Sequence, residues 1–184
     1  MPVTAATETA PRWSDVKARL ADFDRAGLVR LVQDLYAASR DNQTFLHARF
    51  ALGAAPLKPY KASMDRWLWP DVFKNQNSSA AKAKKAISDY KKAIGQPEGL
   101  AELMVFYCER AVGFSYDVGL QDESYLNALV RMFEQSLKAV AALPEDQRPG
   151  FLKRLIQVRH ISRHVGYGLG DGMGVLLAEY GIEG

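Results

Sequence analysis

Apolar residues recur at helical spacing along almost the whole chain, and this periodicity is the strongest constraint on the fold. In the segment 126–140 they occupy positions i, i+3, i+4, i+7, i+11 and i+14, which places them on one side of a helix with 3.6 residues per turn. No run of alternating β-forming residues bounded by turn residues replaces this pattern elsewhere. The sequence therefore predicts an all-α fold.

Capping residues and helix breakers divide the periodic pattern into about seven to nine helices. The spacing predicts N-caps at Asp24, Asp41, Ser79, Asp122 and Asp171, while glycines and prolines mark the ends. Connections of only a few residues favour antiparallel neighbours. We therefore expect helical hairpins packed as a bundle or as a short stack of the HEAT or ARM type.

The length of 184 residues suits a single domain with its own core. Residues 1–12 lack an apolar pattern, and we interpret them as a disordered tail. Residues 13–184 are predicted to form one all-helical domain. Its parts are an N-terminal three-helix unit (13–53), a basic connector and helix (56–95) and C-terminal helical hairpins (98–182).

The composition is that of a globular protein, with 48% hydrophobic and 24% charged residues. No stretch approaches the roughly 20 apolar residues needed to span a bilayer, and the N-terminus lacks the features of a secretory signal. The lone cysteine, Cys108, cannot form an internal disulfide. These observations predict a cytoplasmic protein that does not enter a membrane.

Motifs for catalysis or cofactor binding are not found. Cys108 lies within an apolar helical pattern, where a thiol is inert. The glycine-rich segment GYGLGDGMG matches neither the dinucleotide-binding pattern nor a phosphate-binding loop. We therefore predict no catalytic residue and no cofactor.

Two histidines, His160 and His164, stand four residues apart, which is a spacing that two zinc ligands use on one helix face. The glutamate of the metalloprotease motif is absent, and no third ligand stands at the usual spacing. A metal-binding or enzymatic site near His160, His164 and Asp171 remains an alternative hypothesis.

Positive charge is concentrated in one part of the chain. Residues 57–94 contain nine Lys and Arg against three Asp, a net charge of +6, whereas the whole chain carries +3. The helix predicted over 80–94 has an apolar face and a lysine-rich face, and the aromatic residues Tyr60, Trp67, Trp69 and Phe73 lie just upstream, where they could stack on bases. The candidate nucleic-acid-binding or polyanion-binding residues are Lys74, Lys82, Lys84, Lys85, Lys91 and Lys92.

Several segments carry a resemblance to known proteins. LVRLVQDLYAAS, AKAKKAISDYKKA, LAELMVFYCERAVGF and SYLNALVRMFEQSL together resemble a family of small bacterial helical proteins whose domain has no assigned function. The resemblance spans the chain from about Val16 to about Leu155 and implies no activity. The segment SDVKARLADFDRAGLVRLVQDLY also resembles the small helical SAP and Rho N-terminal modules of bacterial nucleic-acid factors.

Three hypotheses about function follow. The leading one is a non-enzymatic scaffold or adaptor that binds another macromolecule, most simply a protein. The first alternative is a nucleic-acid-associated protein that uses the basic helix 80–94, and the second is the metal or enzymatic site described above. The oligomeric state is left open by the sequence.

Overall fold

The computed structural model describes residues 10–50, 52 and 55–182, and within them it contains nine α-helices and no β-strand. This confirms the predicted all-α fold. Most of the predicted tail, residue 53 and the last two residues lie outside the described part. The chain forms two compact units, Met1–Thr44 and Phe45–Gly184, and the predicted grouping of 13–184 into one domain stays a prediction.

The first unit contains α1 (Trp13–Leu20), α2 (Arg25–Ala38) and the beginning of α3 (Arg40–Arg49). Asp24 is the N-cap of α2, as predicted, because its carboxylate accepts a hydrogen bond of 2.7 Å from the Gly27 N–H.

The cap predicted for α3 is wrong. Ser39, rather than Asp41, precedes the helix in an extended conformation, and its hydroxyl accepts a 3.1 Å hydrogen bond from the Asn42 N–H. Asp41 lies in the first turn of α3, where its negative charge still stabilises the helix dipole.

The second unit continues with α4 (Lys58–Leu68), a 3₁₀ turn (Val72–Lys74), α5 (Ala80–Ala93) and α6 (Pro97–Val118). Prolines in the first turns of α4 and α6 suit that position, where a backbone N–H has no helical partner. Gly119, with φ of +62°, ends α6 in the left-handed conformation.

The C-terminal part contains α7 (Glu123–Ala141), a 3₁₀ turn (Glu145–Gln147), α8 (Arg148–Ser162) and α9 (Leu169–Glu179). Asp122 caps α7, as predicted, by accepting from the Tyr125 N–H at 3.0 Å.

Helix α6 is the centre of the second unit. It packs against α4, α5, α7 and α8, and α9 packs against α7 and α8. The core between these helices is apolar and includes large side chains with almost no exposure. Its largest fully buried members are Tyr107, Phe133, Met64, Leu68, Leu103 and Leu129.

Helix α8 ends at Ser162, and the His164 N–H donates to the Ile161 carbonyl in the turn that follows. One expectation near the C-terminus needs correction. Asp171 is not the N-cap of α9. The helix begins at the buried Leu169, two residues before Asp171, and its N-cap is Gly168 with φ of +64°.

Candidate functional site

Helix α5 has one face in the core and one face in solvent. Its beginning is defined by Ser79, whose hydroxyl accepts a 3.3 Å hydrogen bond from the Lys82 N–H. Its end is followed by Gly95 at φ of +70°. The small and apolar residues of its core face are all buried: Ala83, Ala86, Ile87, Tyr90 and Ala93.

The opposite side of α5 carries five exposed lysines, which we call the lysine face: Lys82, Lys84, Lys85, Lys91 and Lys92. At 100° per residue these side chains fill one continuous arc opposite the core residues, as the sequence predicted. From Lys82 to Lys92 the helix rises about 15 Å. The lysine face is therefore a compact, one-sided strip of positive charge.

Intramolecular contacts occupy only part of the lysine face. Lys85 Nζ forms an ion pair with Asp89 at 2.6 Å, and Lys82 Nζ lies 4.0 Å from the centroid of the Trp67 ring. Within the described part of the chain, Lys84, Lys91 and Lys92 form no ion pair. These three cations are therefore available to an external anion without the loss of an internal partner.

Lys74, the remaining residue of the predicted set, lies apart from α5. It ends the 3₁₀ turn Val72–Lys74 and pairs with Asp71, the residue that caps this turn, at 3.0 Å. The hydrogen bond from Lys74 lowers the pKa of the Asp71 carboxyl. We therefore do not include Lys74 in the lysine face.

The aromatic residues proposed as base-stacking platforms are mostly occupied. Tyr60 is buried in the core. Trp67 lies below Lys82 and also below the Arg66 guanidinium, which is 5.0 Å from its centroid. The Arg110 guanidinium lies 4.1 Å from the centroid of the Trp69 ring. Bases therefore cannot stack on Tyr60. A base that stacked on Trp67 or Trp69 would have to displace a cation from the ring.

Phe73 is the exception among these aromatics, since 95% of its surface is exposed at the tip of the 3₁₀ turn. Its backbone N–H donates to the Asp71 carboxylate at 3.1 Å, so the turn that presents the ring is ordered locally. A single exposed ring cannot stack successive bases, so contacts of the lysines with a charged backbone are favoured over reading of bases.

The two histidines lie close together, but no ligand set forms around them. The rings of His160 and His164 are 6.0 Å apart, and His164 packs edge-on against Tyr116 at 6.1 Å. They line a groove with Asp117, whereas Asp171 lines a different groove with Arg159. Among the described residues no group of three or more His, Cys, Asp or Glu side chains is placed to hold a metal ion.

Cys108 is buried among core residues, with its sulfur 3.5 Å from the Ser136 hydroxyl. Burial raises the pKa of its thiol to about 12. The reactive thiolate is therefore scarce at neutral pH, and the side chain lacks access to a substrate.

We expect Cys108 in the native protein to react with Ellman's reagent at least about 100-fold more slowly than after unfolding in urea, because both ionisation and access are restricted. Absorbance of the released thionitrobenzoate measures both rates. A fast reaction in the native protein would show that the region of α6 around Cys108 opens readily.

An ion-pair cluster joins three helices and was not anticipated from the sequence. Arg154 on α8 donates to Glu102 at 2.5 Å and to Glu109 at 2.7 Å, both on α6, and Lys61 on α4 donates to Glu102 at 2.5 Å. The two residues of each of these ion pairs are 41–52 positions apart in the sequence, so no local pattern indicates their contact. The cluster orients α4 and α8 on the central helix.

No helix in the described part of the chain combines the length and the apolar character needed to cross a membrane. Comparison of the chain with protein-family models, with curated proteins and with solved structures finds no match. The resemblance to small bacterial helical proteins therefore stays a prediction, and the proposals below depend on the geometry of the chain itself.

Proposed function

We propose that this chain is a non-enzymatic macromolecule-binding protein whose lysine face binds the phosphate backbone of a nucleic acid. The observation that carries the proposal is the strip of five exposed lysines on α5, of which Lys84, Lys91 and Lys92 have no ion-pair partner within the described residues. Because the other side of α5 is packed in the core, the helix holds the five lysines in a fixed orientation.

The chemistry of the strip favours binding without base specificity. Lysine is a compact point charge on a flexible stem, whereas the bidentate recognition of guanine is typical of arginine, and the lysine face contains no arginine. The nearby tryptophan rings already carry cations. Counterion release from phosphates then supplies the binding free energy, and affinity falls as salt rises.

The proposal is tested by fluorescence anisotropy with labelled single-stranded and duplex oligonucleotides. With three to five lysines engaged, log K against log salt for a single strand is expected to have a slope of about −2 to −3.5. A chain that binds neither oligonucleotide at about 50 mM salt would refute the proposal.

The variant K84E/K92E is expected to weaken oligonucleotide binding at least about tenfold at low salt, because it removes two free cations and places two like charges beside the phosphates. The matched control is R131E/K153E, which changes the net charge equally at exposed positions of α7 and α8. Circular dichroism should show both variants folded. Equal losses in the two would mean that net charge, not the lysine face, drives binding.

An acidic protein is the competing class of partner. Polyglutamate of matched charge serves as the probe, added to the preformed oligonucleotide complex. If polyglutamate displaces the oligonucleotide at equal charge concentration, the lysine face binds acidic macromolecules in general and the nucleic-acid proposal is overturned. Retention of the oligonucleotide supports it.

A further inference from the structure

An apolar groove with an exposed aromatic ring at its edge lies beside the 3₁₀ turn Val72–Lys74. Phe73 is 95% exposed, and its neighbour Val72 is 47% exposed. The groove has a volume of about 380 Å³, and its lining also includes Trp69 and the buried Phe114. A concave, largely apolar surface of this kind is typical of a binding site.

The turn that carries Phe73 is held by its own hydrogen bonds. The Phe73 N–H donates to the Asp71 carboxylate at 3.1 Å, and the Gln76 N–H donates to the Asp71 carbonyl at 3.3 Å. Asn75 adopts the left-handed conformation with φ of +52°, and its N–H donates to the Val72 carbonyl at 3.3 Å. The turn is therefore formed before a ligand arrives, which lowers the entropy cost of binding at the ring.

The groove lies at the N-terminal end of α5, where the lysine face begins. The Ser79 N–H donates to the Trp67 carbonyl at 2.9 Å, so residues 68–78 form a loop that closes at the start of α5. This loop contributes most of the groove lining, including Phe73. Lys82, the first lysine of the face, lies over Trp67 at the point where the loop closes. A chain-like ligand bound along the lysine face can therefore reach the groove with one end.

The lysine face and the groove carry charges of opposite sign, and this restricts the ligand that can cover both. The lysine face attracts an anionic chain. The charged residues that line the groove are both acids, Asp71 and Asp117. Lys74 pairs with Asp71 at 3.0 Å, but within the described residues Asp117 forms no ion pair, so the groove does not favour a phosphate or a carboxylate. The part of the ligand that enters the groove must therefore be uncharged and apolar.

A single-stranded nucleic acid combines these two properties, since its phosphates are anionic and its unpaired bases have uncharged, apolar faces. We propose that the Phe73 ring stacks on one unpaired base at the end of the lysine face, so that a single strand gains a contact that a duplex lacks. The inference rests on the phosphate binding proposed above. In a duplex the bases are stacked on one another and offer no free face to the ring. One ring selects no sequence, because every base has a π-face.

The test compares two end-labelled strands of about 12 nucleotides, oligothymidylate and an abasic strand of the same length. Both strands carry the same phosphate charge, whereas only the first has bases. Fluorescence anisotropy at about 50 mM salt is expected to give a dissociation constant at least about fivefold lower for oligothymidylate, which is the effect of one stacked base. Equal affinities overturn the stacking and leave the phosphate binding in place, whereas a chain that binds neither strand refutes both.

Phe73→Ala is expected to weaken oligothymidylate binding at least about fivefold, to the level of the abasic strand, and to leave the affinities for the abasic strand and for a duplex unchanged. Phe73→Trp keeps a stacking ring and should keep the preference. The matched control is Tyr167→Ala, which removes another exposed aromatic side chain, in the turn between α8 and α9, and should change neither affinity. A preference that survives Phe73→Ala, or that Tyr167→Ala removes equally, overturns the inference.

An acidic protein with aromatic side chains is the competing occupant, because it also joins negative charge to flat apolar groups. A labelled copolymer of glutamate and tyrosine serves as its probe, and vesicles of phosphatidylserine and phosphatidylcholine serve as the probe for an anionic membrane. If Phe73→Ala weakens the binding of either probe by as large a factor as that of oligothymidylate, the groove is not specific for a base and the inference is overturned. Binding of both probes that does not depend on Phe73 supports it.

Discussion

Gly99→Ala is expected to lower the free energy of unfolding by about 2–3 kcal/mol, although alanine is the better helix former. A Cβ atom at position 99 would lie 1.9 Å from the Tyr90 hydroxyl oxygen and 2.5 Å from the adjacent ring carbon. Tyr90 is only 2% exposed and packs edge-on against Tyr60 at 5.4 Å. The ring cannot move aside without disturbing the contact between α5 and α6.

Gly150→Ala is the matched control for this substitution. Gly99 and Gly150 are each the third residue of a helix with a proline in its first turn, and nothing lies within 4 Å of a Cβ built at Gly150. We expect Gly150→Ala to be neutral or up to about 1 kcal/mol stabilising. Urea unfolding followed by circular dichroism measures both changes.

A double variant tests whether the loss of stability in Gly99→Ala comes from close packing against Tyr90. Gly99→Ala combined with Tyr90→Phe removes the nearest oxygen and is expected to recover part of the lost stability, so the two effects are not additive. Additive effects, or similar losses for Gly99→Ala and Gly150→Ala, would contradict the close approach. Since Tyr90 is on the core face of α5, this packing also determines which side of α5 faces solvent, and hence the direction of the lysine face.

Local signals in the sequence are sufficient to predict α5. Ser79 precedes it, Gly95 follows it, and the apolar residues between them all lie in one arc, so its bounds and its two faces are predicted nearly as the structure has them. The same holds for the capped beginnings of α2 and α7.

Competing local signals account for the two wrong N-cap predictions, those for α3 and α9. Ser39 and Asp41 are both good N-caps two residues apart, and neither spacing nor residue type decides between them. At α9 the sequence favoured Asp171, but burial of Leu169 makes the helix begin earlier, and Gly168 adopts the left-handed conformation that this start requires.

The candidate site was predictable only in part. The lysines share a face because of helical geometry, which the sequence contains. The position of Lys82 over Trp67 depends on how α4 and α5 pack, 15 positions apart in sequence, and the proposed stacking on Tyr60 failed for the same reason. Tertiary contacts of this kind have no local periodicity to reveal them.

Arg154→Met is expected to lower the free energy of unfolding by about 2–3 kcal/mol at pH 7, less than the loss for a fully buried charge because the cluster is partly exposed. The substitution keeps most of the side-chain volume but leaves Glu102 and Glu109 without their shared cation. Lys138→Met is the matched control, since its ion pair with Glu134 has the same length of 2.5 Å but is largely exposed. We expect the Lys138→Met variant to lose far less stability than Arg154→Met, because solvent screens the exposed pair.

The pH dependence distinguishes charge from packing at Arg154. Burial alone would raise the pKa of Glu102, but hydrogen bonds from Arg154 and Lys61 outweigh burial and hold it below its usual value. A carboxyl with a lowered pKa contributes stability above its unfolded pKa of about 4.3, and this contribution is lost as pH falls through the folded pKa. The destabilisation by Arg154→Met should therefore be largest near pH 7 and smaller at about pH 3.5, where part of the contribution from Glu102 has been lost. Urea unfolding at both pH values measures it, and an equal loss at both would mean that Arg154 acts through the packing of its stem near Phe151, whose ring centroid is 5.9 Å from the guanidinium.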